Sequence, residues 1–90
     1  MIEFSCTIGD ENGMHARPAG KLAAIAREFS ANVTVRANQK EADGKRLLSL
    51  MTLGATKGAS LHFSISGEDE REASDAIRRF CRDVLLGETT

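Results

Sequence analysis

Apolar and polar residues alternate from the second position onward: Ile2, Phe4, Cys6 and Ile8 are separated by Glu3, Ser5 and Thr7, the period of a strand with one buried face. Turn formers from Gly9 to Gly13 break that alternation. The period then lengthens. Ala19, Leu22, Ala23, Ile25, Ala26 and Phe29 recur at helical spacing and leave Lys21, Arg27 and Glu28 outward, which predicts an amphipathic helix over 19–29. Val33 and Val35 alternate with Thr34 and Arg36 as a second strand, Ala37 to Lys40 reads as its turn, and a short third strand follows over 41–43. Lys45 to Leu53 is a short helix ended by Gly54 at a left-handed cap position. Leu61, Phe63 and Ile65 form the buried row of a fourth strand, with His62 and Ser64 on its solvent side. The last helix opens at Gly67-Glu68-Asp69 with Glu68, Asp69, Glu70 and Glu72 near its positive end. It buries Ala73, Ile77, Phe80, Cys81 and Val84, carries Arg78, Arg79 and Arg82 towards its negative end, and the polar tail after Leu86 frays.

The order is strand, helix, two strands, short helix, strand, helix. One-sided strands, each with an apolar row to cover, predict an α+β fold: an open antiparallel sheet with helices on one face. Ninety residues make one domain, spanning 1–90, without internal repeats or linkers. One segment does not fit a single buried stripe. Leu47, Leu48, Leu50, Met51 and Leu53 are too apolar for so short a helix, so either all five are buried or the surplus forms an exposed patch of the kind that docks a partner.

Charge narrows the function classes. With 12 basic and 13 acidic residues the net charge is −1, so no bulk field recruits nucleic acid or an anionic membrane. Neither tryptophan nor tyrosine is present to stack single-stranded bases. No apolar run is long enough to cross a membrane and no secretory leader is evident, which makes the cytoplasm the default location. Cys6 and Cys81 lie on apolar faces far apart in sequence and read as reduced core residues, not as a disulfide framework. Two histidines without metal-ligand spacing give no support for a metal site.

The chemistry concentrates in Gly13-Met14-His15-Ala16-Arg17-Pro18. Proline belongs to a first helical turn but biases the residue before it away from helical angles, so Arg17 reads either as the cap or as a helical residue. Both choices place His15 at the mouth of the helix. A helix start offers unpaired backbone N–H groups and the positive end of the macrodipole to an anion. The neutral imidazole is a nucleophile at ordinary pH, and a ring nitrogen can carry a phosphoryl group. Arg17 adds a permanently charged planar fork matched to phosphate oxygens. Ala16 is a candidate phosphate contact at the same helix start. Asn12 is another, although a cap or turn role comes first for a short amide at that position.

Gly13 to Ala19, read with Lys45 to Gly58 (Lys-Arg-Leu-Leu-Ser-Leu-Met-Thr-Leu-Gly-Ala-Thr-Lys-Gly), resembles the HPr family, the histidine-containing phosphocarriers of the phosphoenolpyruvate-dependent phosphotransferase system. The resemblance spans nearly the whole chain. It implies an open-faced β-sandwich of four strands and three helices. It also implies a carrier, not an enzyme, in which His15 takes a phosphoryl group from enzyme I and hands it to an enzyme IIA domain for sugar uptake, with Arg17 assisting. Leu47, Leu48 and Met51 correspond to the partner-docking residues, modification falls on the histidine Nδ1, and no cofactor is implied. Such a carrier is expected to be a monomer that meets its partners briefly through a small apolar patch. The alternative is a nitrogen-type paralogue that uses the same surface as a regulatory binding module. The chain departs from the family at Arg46, where many Gram-positive members carry a regulatory serine after the lysine, and this puts that regulation in question. Ser49 reads as a neutral spacer in a leucine-rich helix, while Arg46 would add charge near the phosphoryl site or contact an acidic partner.

Overall fold

A computed structural model describes residues 1–9, 11 and 13–85. The alternation seen in the sequence becomes strands β1 (Ile2–Thr7), β2 (Asn32–Ala37), β3 (Lys40–Asp43) and β4 (Ser60–Ser66). They form one antiparallel sheet in the order β1-β4-β2-β3. Register aligns the apolar rows: Phe4 faces Phe63, Cys6 faces Leu61, and Val35 pairs with Phe63 on one side and Ala42 on the other. A slip of one residue would turn every one of these rows to solvent. The Phe4 and Phe63 rings stack at 5.1 Å between centroids.

Helices α1 (Ala16–Arg27), α2 (Leu47–Met51) and α3 (Glu70–Phe80) close the apolar face, and α3 runs on as a π-helical turn over Cys81–Leu85. Leu22 and Ala26 of α1, Leu50 of α2 and Ile77 of α3 meet Val33, Val35, Leu61, Phe63 and Ile65 of the sheet in one fully buried core. The opposite rows, with Glu3, Ser5, His62 and Ser64, stay on the open face of the sheet. Four strands with three helices on one side is the open-faced α+β architecture expected from the chain order.

Boundaries moved where local chemistry overrode periodicity. α1 begins at Ala16, three residues before its first buried aliphatic position at Ala19, because His15 caps it. The turn between β2 and β3 contracts to Asn38 and Gln39, both with positive φ (53° and 65°), the mirror-image turn whose twist suits a two-residue hairpin. Asn38 earns this position by donating from Nδ2 to the carbonyls of Leu53 and Gly54, tying the hairpin to the end of α2. α2 is shorter than the apolar run that predicted it, since Arg46 is extended and caps it, and Thr52 and Leu53 leave it as a turn. Gly54 has φ +64°, the left-handed position expected after this helix.

Asp69 caps α3, but its carboxylate is committed elsewhere: it accepts from the Ser30 N–H at 2.9 Å, the Ala31 N–H at 2.8 Å and the Ser30 hydroxyl at 3.3 Å. These bonds hold the Asp69 carboxyl below its usual range and fasten the start of α3 to the loop after α1. Glu70 is held low in the same way by the Gly67 N–H and by the amino terminus at 3.2 Å. The tail expected to fray after Leu86 lies outside the described residues.

Candidate functional site

The loop that delivers His15 is fixed from the outside. Gly13 has φ +66°, and a Cβ built on it would fall 2.5 Å from the Ala55 carbonyl oxygen and 2.8 Å from the Thr56 Cα, so both its conformation and its contacts exclude a side chain. One residue on, the Met14 N–H donates to the same Ala55 carbonyl at 3.0 Å, while the Met14 side chain is buried. The backbone after α2 thus forms the seat on which the histidine loop rests.

His15 is the N-cap of α1, with extended backbone (φ −92°, ψ −171°), and its carbonyl accepts the Ala19 N–H at 3.0 Å. The ambiguity over the helix start is resolved: Arg17 is the second helical residue and Pro18 the third. Its imidazole folds back over the helix start. Nδ1 lies 3.5 Å from the Arg17 backbone N–H, a long hydrogen bond that presents the Nδ1 lone pair to the first turn. Pro18 has no N–H, so the amides of Ala16 and Arg17 are the donors that this turn can offer an incoming anion. No acidic residue stands in the first turn to neutralise the positive end of the helix. Ala16 and Arg17 are exposed and His15 is half-buried, so the imidazole is supported on one side and open on the other. The structure therefore brings His15, Ala16 and Arg17 to one helix mouth; Asn12 lies outside the described residues.

α2 flanks this site. Lys45 donates to the Phe29 carbonyl at 2.8 Å, and Arg27 donates to the Lys45 carbonyl at 2.8 Å, which anchors the start of α2 beside the C-terminal end of α1. From there α2 runs back towards Ala55 and the His15 loop. Of its five large apolar residues, Leu50 and Leu53 are buried, Leu47 is half-buried, and Leu48 and Met51 are exposed at 75% and 40%. Of the two alternatives that the apolar run left open, the exposed surplus holds, at Leu48 and Met51. Arg46, the extended and exposed residue that precedes α2, follows Lys45 at this anchor.

The second histidine belongs to a different surface. His62 lies on the open sheet face, with Nδ1 3.1 Å from the Ser5 hydroxyl and Nε2 3.0 Å from the Glu3 carboxylate. Sequence reasoning missed two features. The clash that forbids a side chain at Gly13 involves residues 42 and 43 positions away, and no local signal reports it. The same holds for the two thiols: Cys6 and Cys81 are free, as expected, but their sulfur atoms meet at 2.9 Å.

With this geometry in hand, comparison with known proteins is specific. Residues 2–83 match the family described as PTS HPr component phosphorylation site. The phosphocarrier protein HPr of Mycoplasma capricolum is 36% identical over 86 residues, covering 96% of this chain and 97% of that protein. A solved histidine-containing phosphocarrier protein from Mycoplasma superposes with a TM-score of 0.90 at 35% identity, covering 94% of this chain and 97% of the other. A crystal structure of an HPr dimer from Thermoanaerobacter tengcongensis superposes with a TM-score of 0.72 at 32% identity, covering 98% and 100%. A histidine capping an acid-free helix start, on a four-stranded open-faced sheet that superposes on solved phosphocarriers, places this chain in the HPr family of phosphotransferase-system phosphocarrier proteins.

Proposed function

We propose that this chain cycles between His15 and phosphohistidine, accepting a phosphoryl group from phosphoenolpyruvate-charged enzyme I and passing it to an enzyme IIA domain during sugar uptake in the cytoplasm. The observation that carries this reading is the direction of the imidazole: Nδ1 faces the Arg17 N–H at the positive end of α1. In the acceptor step the Nδ1 lone pair forms a bond to phosphorus as the bond from phosphorus to the donor breaks. Nε2 carries the ring proton, which is the tautomer this step needs. The weak Arg17 N–H···Nδ1 bond gives way, and the Ala16 and Arg17 amides become available to the phosphoryl oxygens. The Arg17 guanidinium adds a charge-assisted contact. Transfer onward reverses the same steps, because His15 sits open to a partner on one side.

Leu48 and Met51, with half-buried Leu47, form the docking face. A patch of this size suits a partner that binds and leaves, with the chain acting as a monomer. Arg46 is exposed at the cap of α2, which supports contact with an acidic partner. The regulatory-module alternative gains no observation of its own from the fold.

Incubation with enzyme I and phosphoenolpyruvate, followed by intact-mass measurement at alkaline pH beside His15→Ala, tests the reading. One phosphoryl adduct in the parent and none in the variant is the expected result. An adduct in both, or in neither with an enzyme I active on other HPr proteins, overturns it. Light scattering of the unphosphorylated chain checks the monomer.

A further inference from the structure

Away from the phosphoryl site, β1 and the end of α3 bring together the two cysteines of the chain, which stand 75 positions apart. Their sulfur atoms are 2.9 Å apart, closer than non-bonded sulfur contact and within about 1 Å of the ~2.05 Å disulfide bond length. The two environments differ. Cys6 is half-buried and Cys81 is buried. Beside them a surface cavity of about 210 Å3 is lined by Phe4, Ser5, Cys6, Arg78, Cys81 and Arg82. Its floor is apolar, with the Arg78 guanidinium 4.5 Å above the Phe4 ring, and its charged groups are the two arginines.

We infer that Cys6 and Cys81 are a thiol–disulfide site, oxidised to an intramolecular disulfide by an anionic low-molecular-weight disulfide that enters through the arginine-lined cavity at Cys6. The two thiols share one hydrogen bond, which holds the Cys6 thiol below its usual range, while the same bond and burial push Cys81 up. An accessible thiol of lowered pKa beside a sheltered second thiol is the arrangement of an attacking and a resolving cysteine. Cys6 thiolate attacks one sulfur of the external disulfide; that S–S bond breaks, and one thiolate leaves and takes up the proton released by Cys6. Cys81 then gives up its proton and attacks the Cys6 sulfur, breaking the mixed disulfide and releasing the second external thiol. Two protein thiols are oxidised as one external disulfide is reduced to two thiols.

The bond would fasten the π-helical turn to β1. That turn already holds the chain leading to His15, since the Gly9 N–H donates to the Leu85 carbonyl at 2.8 Å. A cross-link closing so long a loop raises the melting temperature, by about 5 °C or more for a domain of this size.

The probe is glutathione disulfide added to the whole reduced chain, quenched in acid, alkylated with a maleimide and read by intact mass and peptide mapping. The parent is expected to lose the mass of two hydrogens, to take up no maleimide, and to yield a Cys6–Cys81 linked peptide that dithiothreitol cleaves. Cys81→Ala is expected to stop with one glutathione on Cys6, and Cys6→Ala to react at least about tenfold more slowly than the parent. Arg78→Gln with Arg82→Gln is expected to slow glutathione disulfide severalfold and leave the neutral disulfide of mercaptoethanol unchanged; equal slowing with both removes anion recognition from the proposal. A parent that stalls as the mixed disulfide, forms only intermolecular dimers, or stays reduced where a small dithiol is oxidised overturns the site. Parent mapping decides this even if a variant does not fold.

Discussion

Two residues govern the site in different ways. In the proposed acceptor step Arg17 contributes through its backbone N–H, which any residue but proline supplies, and through its guanidinium, which only arginine supplies in planar form. Arg17→Ala is therefore expected to lower the second-order rate of phosphoryl acceptance by about tenfold to a hundredfold, with Arg17→Lys recovering part of it, since one charge-assisted contact is worth roughly 1.5–3 kcal/mol. Stopped-flow or quench kinetics at fixed salt check the pair. Gly13 acts by what it lacks. A methyl there meets the Ala55 carbonyl at 2.5 Å in a backbone conformation that costs an L residue about 1–3 kcal/mol, so Gly13→Ala is expected to lose at least about 2 kcal/mol in urea unfolding. It should also slow phosphorylation, because the N–H of Met14, the residue before His15, donates to the same Ala55 carbonyl.

At the scale of elements, α1 and α2 divide the work. α1 starts from a cap, His15, that is the proposed phosphoryl acceptor, and α2 places hydrophobic side chains where packing does not need them. Leu48 is 75% exposed, so Leu48→Asp is expected to change unfolding free energy by no more than about 0.5 kcal/mol. The same substitution should raise the KM for enzyme I severalfold with little change in kcat, because a charge would stand where a partner seats an apolar surface. An unchanged KM would remove Leu48 from the docking face. Leu50→Asp, in the fully buried position two residues on, is expected to unfold the protein instead.

For the whole molecule, acid stability follows from the carboxylates that tie elements together. Asp69 joins the start of α3 to the loop after α1, Glu70 pairs with the amino terminus, and both are held below their ordinary values in the folded state. Depressed carboxyl groups add stability that is present above their unfolded values, near ~3.9 and ~4.3, and that is lost as pH falls through the folded ones. The melting temperature is therefore expected to hold from neutral pH to about pH 5 and to drop below about pH 4, and Asp69→Asn should flatten that drop while lowering the plateau. Calorimetry across the acid range checks the shape. A curve for Asp69→Asn parallel to the parent's would remove Asp69 as a source of the acid dependence.

The sequence by itself determined what a local period or a local motif can carry. Apolar rows of period two and of helical period located β1, β2, β4 and all three helices in the right order, because burial on one face is written into each segment separately, whereas β3 has Ala42 as its one buried residue and carries no such row. Gly13 to Pro18 marked the helix mouth because the dipole, the missing proline N–H and the histidine are neighbours in the chain. The boundaries were less legible. Whether Arg17 or His15 capped α1, how far α2 ran, and which of Leu47, Leu48, Leu50, Met51 and Leu53 were covered all depended on neighbours supplied by other segments. Only the tertiary structure turned Nδ1 of His15 towards the Arg17 N–H, pressed Gly13 against Ala55, set the Lys45 carbonyl against Arg27, and brought the sulfur atoms of Cys6 and Cys81 to 2.9 Å. These are contacts or orientations fixed by packing, two of them across more than forty residues, and a one-dimensional pattern holds no distance between such positions until the sheet and its helices close on one core.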